Sequence, residues 1–89
     1  LGPTAQDDTD WKTFHIKRPS RVRIRFRSAG PLRMVIYEAE GATIGSLAGH
    51  GAEEQSFVAS LKPGHYLVEL KAPQTPSAID YLLTLEGIP

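Results

Sequence analysis

Arg21-Val22-Arg23-Ile24-Arg25-Phe26-Arg27 decides how the rest of the chain is read. Apolar and charged residues alternate there without a fault. Successive side chains of an extended chain point to opposite faces, so Val22, Ile24 and Phe26 share one face and four guanidiniums share the other. A helix would spread the same residues around its axis. The stretch is therefore a half-buried strand, and its clean alternation predicts an antiparallel sheet with one face packed and one wet.

Outward from this stretch the same rhythm recurs between turn signals. On the N-terminal side, Lys17-Arg18-Pro19-Ser20 reads as a turn, preceded by a short strand in which Phe14 and Ile16 alternate with Thr13 and His15. On the C-terminal side, residues 28–31 read as a turn, followed by a strand with Leu32, Met34 and Ile36 on one face and Arg33, Val35 and Tyr37 on the other. Glu38-Ala39-Glu40-Gly41 has hairpin length, and Gly41 is free to take positive φ. Residues 43–47 form a weak short strand, and residues 48–54, with Gly49, His50 and Gly51, read as a mobile loop. Phe57, Ala59 and Leu61 face one way in a further strand. Lys62-Pro63-Gly64-His65 suits a type II turn, with Pro63 presetting φ and Gly64 at the next position. Tyr66, Val68 and Leu70 alternate next; residues 72–80, with two prolines, read as a loop; Tyr81, Leu83 and Leu85 close the pattern.

About seven to eight short strands, with turn signals roughly every ten residues, predict an all-β antiparallel sandwich. Residues 1–10 are polar and aperiodic and read as an N-terminal tail or linker, leaving 11–87 as a single domain. The 89 residues suffice for one small core. At 40% hydrophobic and 22% charged, the composition is that of a globular chain rather than a disordered one. No apolar run reaches the roughly 18–20 residues that span a bilayer. With no cysteine, disulfide scaffolds and thiolate metal sites are excluded. The chain opens on Leu1, and the expectation is a processed or excerpted piece of a longer polypeptide.

Charge is balanced in total but divided along the chain. The first 37 residues carry eight basic and three acidic side chains, a net of +5, and the remaining 52 carry a net of −5. The Arg row dominates the basic half. Neighbouring guanidiniums about 6.8 Å apart repel by only about 0.6 kcal/mol in water, so the row is tolerable without any partner. Glu69 and Glu86, on outward faces of later strands, are expected to lie opposite it. The other reading is a docking face for an acidic protein surface or an anionic polymer. Zero net charge and the lack of aromatics among the arginines argue against nucleic acid.

The order and spacing of four stretches resemble the bacterial pre-peptidase C-terminal domain, a small jelly-roll-like β-sandwich. They are Asp8-Thr9-Asp10-Trp11-Lys12-Thr13-Phe14-His15-Ile16, the stretch from Leu32 through Tyr37 to Gly41, Leu61-Lys62-Pro63-Gly64-His65-Tyr66-Leu67-Val68-Glu69-Leu70, and Tyr81-Leu82-Leu83-Thr84-Leu85. The resemblance implies a non-catalytic accessory module for targeting or binding, attached to an exported bacterial protein and placed outside the cell, in the periplasm or at the cell surface. Some related modules bind calcium through carboxylates near the first strand; Asp7, Asp8 and Asp10 are the corresponding residues. Calcium takes six to eight oxygens, and three aspartates in a polar tail do not supply a cage, so no cofactor is expected.

Catalytic motifs are absent. His15, His50 and His65 form no HExxH, Ser46 lacks the Gly-x-Ser-x-Gly elbow, and Gly41-Ala42-Thr43-Ile44-Gly45-Ser46 lacks the lysine and length of a phosphate loop. The expected contact residues are Arg21, Arg23, Arg25 and Arg27, joined by Trp11 and Tyr37 as aromatics at strand ends. The alternative is a structural domain of a multi-protein assembly, held by sheet edges and the N-terminal tail.

Overall fold

The computed structural model describes residues 4–5, 9–72 and 79–88. They form an all-β, antiparallel arrangement: β1 (Thr4–Ala5), β2 (Thr9–Ile16), β3 (Ser20–Glu38), β4 (Thr43–Leu61), β5 (Gly64–Lys71) and β6 (Ile79–Ile88). The six strands make one sheet in the order β1-β6-β3-β5-β2, with β4 paired to β3.

β3 organises the molecule. One of its sides is occupied by β4 from Ser20 to Tyr37. Its other side is shared: β6 pairs with Arg21 to Ser28, and β5 pairs with Arg33 to Glu38. Described strands number six rather than seven or eight because two expected breaks are paired backbone. The turn read at 28–31 lies within β3, and the loop read at 48–54 lies within β4. Register shifts fall there instead, with Ser28 opposite Gly51, Pro31 opposite His50 and Leu32 opposite Gly49. Glycine and proline mark irregular strand as readily as chain reversal. At this bend Ser28, buried, donates its hydroxyl to the Gly30 carbonyl at 2.6 Å.

The tail read over residues 1–10 also differs from the structure. Thr4 and Ala5 pair with Asp80 and Ile79, and β2 begins at Thr9. Asp10 is buried, which a solvated linker residue would not be. The loop expected over 72–80 contributes two buried side chains, Ala72 and Ile79. Both flank proline-containing sequence, which hid them from a periodicity argument.

The core follows the alternation. Val22, Ile24 and Phe26 from one end of β3 share a buried cluster with Leu32, Met34 and Ile36 from the other, joined by Leu61, Tyr66, Val68 and Leu70. Phe14 stacks on Tyr66 with ring centroids 5.1 Å apart, and the Tyr66 hydroxyl donates to the Lys62 carbonyl at 2.6 Å. That bond clamps the Lys62-Pro63-Gly64 turn, where Gly64 takes φ +150°. The two ends of β4 also meet: a Cβ on Gly45 would lie 2.7 Å from the Phe57 ring. Tyr81 on β6 reaches Asp10 on β2, a further contact between distant strands.

Candidate functional site

Each Arg of the row lies on β3 opposite an uncharged β4 residue or a β6 residue. Arg21 faces Ser60 and Ile88, Arg23 faces Val58 and Glu86, Arg25 faces Ser56 and Thr84, and Arg27 faces Leu82. Residues opposite one another project to the same side of a sheet. The four guanidiniums therefore share one surface with Ser56, Val58, Ser60, Leu82, Thr84 and Glu86. Arg21 and Arg27 are exposed, and Arg23 and Arg25 are half-buried by their neighbours.

Glu86 meets the expectation of a facing carboxylate, since it accepts from Arg25 at 3.1 Å. Glu69 does not. It lies on β5, where its oxygen accepts the Tyr37 hydroxyl at 2.8 Å. Among the residues that strand pairing sets opposite the arginines, Glu86 is the one carboxylate. Exposed Val58 and Leu82 place apolar surface among the charges. At the Arg27 end the face runs into a cleft of about 290 Å³, lined by Arg27, Ser28, Ala29, Asp80, Tyr81 and Leu82.

Trp11 and Tyr37 lie elsewhere. Their partners are on β5: Trp11 is opposite Glu69, and Tyr37 is opposite Leu67. Trp11 is 53% exposed, so it is not the core-edge packing residue that most strand-end aromatics become. Its ring centroid is 6.2 Å from that of Tyr37, tilted by 35°. The Glu69 carboxylate holds the Tyr37 proton and raises the phenol above its ordinary value; partial burial acts in the same direction. Four of the six expected contact residues are thus cationic, on the β6-paired end of β3, and two are aromatic, on strands paired with β5.

Asp10 is engaged inward. It accepts from Tyr81 at 3.4 Å and lies 3.8 Å from the Lys12 ammonium. Burial, then the Asp10 charge, pushes the Tyr81 phenol up to about 12. A carboxylate committed in this way is a poor calcium ligand. Asp7 and Asp8 lie outside the described residues. Among the described residues no three His, Asp or Glu side chains gather into a metal-holding group, and no helix is long and apolar enough to cross a membrane.

One grouping escaped the sequence. His15 and His65 are directly opposite on β2 and β5, both exposed, with rings stacked at 4.4 Å and 14° apart. His15 is legible as an outward strand residue, and His65 as the last residue of a turn. Only the β2–β5 register brings them together, and neither strand carries a pairing signal of its own. No family model matches the chain, and no curated protein matches it.

Proposed function

We propose that this chain is a non-catalytic accessory binding or targeting module, docking an acidic protein surface or an anionic polymer on the Arg21–Arg23–Arg25–Arg27 face. One observation carries the reading: four guanidiniums share one accessible surface on which Glu86 is the single carboxylate placed by strand pairing. A row of like charges at sheet spacing adds little to stability. It does supply a field that attracts and orients an anion. No cofactor is assigned to this role, and nucleic acid is not the partner, for the composition reasons given above.

The architecture proposed is a jelly-roll-like β-sandwich resembling the pre-peptidase C-terminal domain, with the bends of β3 and β4 dividing the sheet into two packed layers. The approach of Phe57 to Gly45 supports it, as does the shared core from both ends of β3. By that resemblance the module belongs to an exported bacterial protein and works outside the cytoplasm.

Replacing all four arginines by serine tests the reading. Retention on an immobilised sulfated polysaccharide is expected to fall to background with the far-ultraviolet spectrum unchanged. Wild-type retention is expected to weaken steeply with salt. Unchanged retention would remove the Arg face from the account.

A second reading, a structural domain assembled through sheet edges, is favoured by β4. This strand of 19 residues pairs with β3 alone among the described residues, leaving a long edge of backbone donors and acceptors. The quadruple variant distinguishes the two, because edge assembly survives it and charge-driven docking does not.

A further inference from the structure

We infer that His15 and His65 form a two-histidine chelate for a divalent transition-metal ion, with Zn²⁺ as the reference ion. The two residues occupy directly opposed positions on β2 and β5. Opposed side chains leave the sheet side by side, with Cβ atoms about 4.5–5.5 Å apart. Their ring centroids are 4.4 Å apart. Two imidazoles bound to one tetrahedral Zn²⁺, through Zn–N bonds of about 2.1 Å, place their ring centres roughly 5 Å apart. The strand register thus brings the two rings to within about 1 Å of the separation that a shared ion needs. The near-parallel planes, 14° apart, turn toward an ion by rotation about χ2, which is a soft torsion for imidazole. Both side chains are exposed, so nothing packed against them resists that rotation.

The surroundings suit a cation. His65 lines a cleft of about 200 Å³ together with Glu38, Glu40 and Lys62, so two carboxylates face one ammonium. Lys17, also exposed, follows the end of β2. The His65 carbonyl accepts from the Ala39 amide at 3.1 Å, which ties the start of β5 to the acidic turn. Imidazole favours zinc, copper and nickel over the hard cations calcium and magnesium. Water completes the coordination sphere. An ion held there joins the edge strand β2 to β5.

The test is calorimetric titration of the full chain with Zn²⁺. One saturable equivalent is expected at pH 7.5. His15→Gln and His65→Gln are each expected to weaken binding by on the order of tenfold or more, because the second imidazole binds intramolecularly. His50→Gln is the control and leaves binding unchanged. Mg²⁺ is expected not to bind. Circular dichroism checks that each variant is folded. Loss in only one of the two single variants, an equal loss in His50→Gln, or no saturable binding of Zn²⁺ by the wild type would overturn the chelate.

Discussion

Along β3, Val22, Ile24 and Phe26 are as buried as Leu32, Met34 and Ile36, yet the residues interleaved with them differ. The first end interleaves four arginines. The second interleaves Arg33, Val35 and Tyr37. Burial depends only on the alternating face, so the two ends contribute alike to the core. The outward residues are free of that constraint, and there the ends diverge into a cationic face and an aromatic one. Function is therefore sought where the fold places no demand.

The largest effects should come from the shared core. Phe26→Ala is expected to cost about 3–5 kcal/mol and Met34→Ala about 2–5 kcal/mol, measured by chemical denaturation. Similar losses at both ends mean one cooperative unit. A loss confined to one end, with a second unfolding transition, would separate them.

Gly45→Ala sharpens the comparison within β4. The added methyl would lie 2.7 Å from the Phe57 ring, so the variant is expected to lose about 1–3 kcal/mol. Adding Phe57→Leu should restore most of it. If the two ends of β4 were apart, Gly45→Ala would instead be neutral or slightly stabilising, by about 0.5–1 kcal/mol.

Tyr81 and Asp10 link β6 to β2. Tyr81→Phe removes a long bond to a buried carboxylate and is expected to cost about 1 kcal/mol. The sign of its pH dependence follows from the raised phenol. Folding holds the proton up to about 12, whereas the unfolded chain releases it near 10.0. The hydroxyl's contribution is therefore whole below pH 10 and lost as the pH rises toward 12. The stability gap between wild type and Tyr81→Phe should shrink across that window and stay constant below it.

The smallest stability effects belong to the Arg face. Arg25→Ser breaks an exposed ion pair with Glu86 and is expected to cost no more than about 1 kcal/mol. Arg21→Ser is expected to change stability by less than about 0.5 kcal/mol.

Much of this was legible in the residues. Period-two alternation identified the strands and the buried face of β3, because one residue out of register would expose every apolar side chain. The Pro63-Gly64 turn was equally plain. The bends were not, since Gly30, Pro31, Gly49 and Gly51 carry the same local signal whether a strand ends or kinks. Pairing between distant strands was invisible as well. That is why the sequence points Glu69 toward the arginines rather than toward Tyr37, and why it gives no sign that His15 and His65 meet. Asp10 resembled a linker acid because its partner, Tyr81, is 71 positions away.

The most direct measurement is a nuclear magnetic resonance titration of the labelled chain with a short sulfated oligosaccharide at low salt. Amide shifts are expected to concentrate on Arg21–Arg27, on residues 56–60 of β4 and on residues 82–88 of β6, with Trp11, Tyr37 and Leu67 unmoved. Shifts centred on Trp11 and Tyr37, or spread evenly over both ends of β3, would contradict a docking surface built from the arginine row.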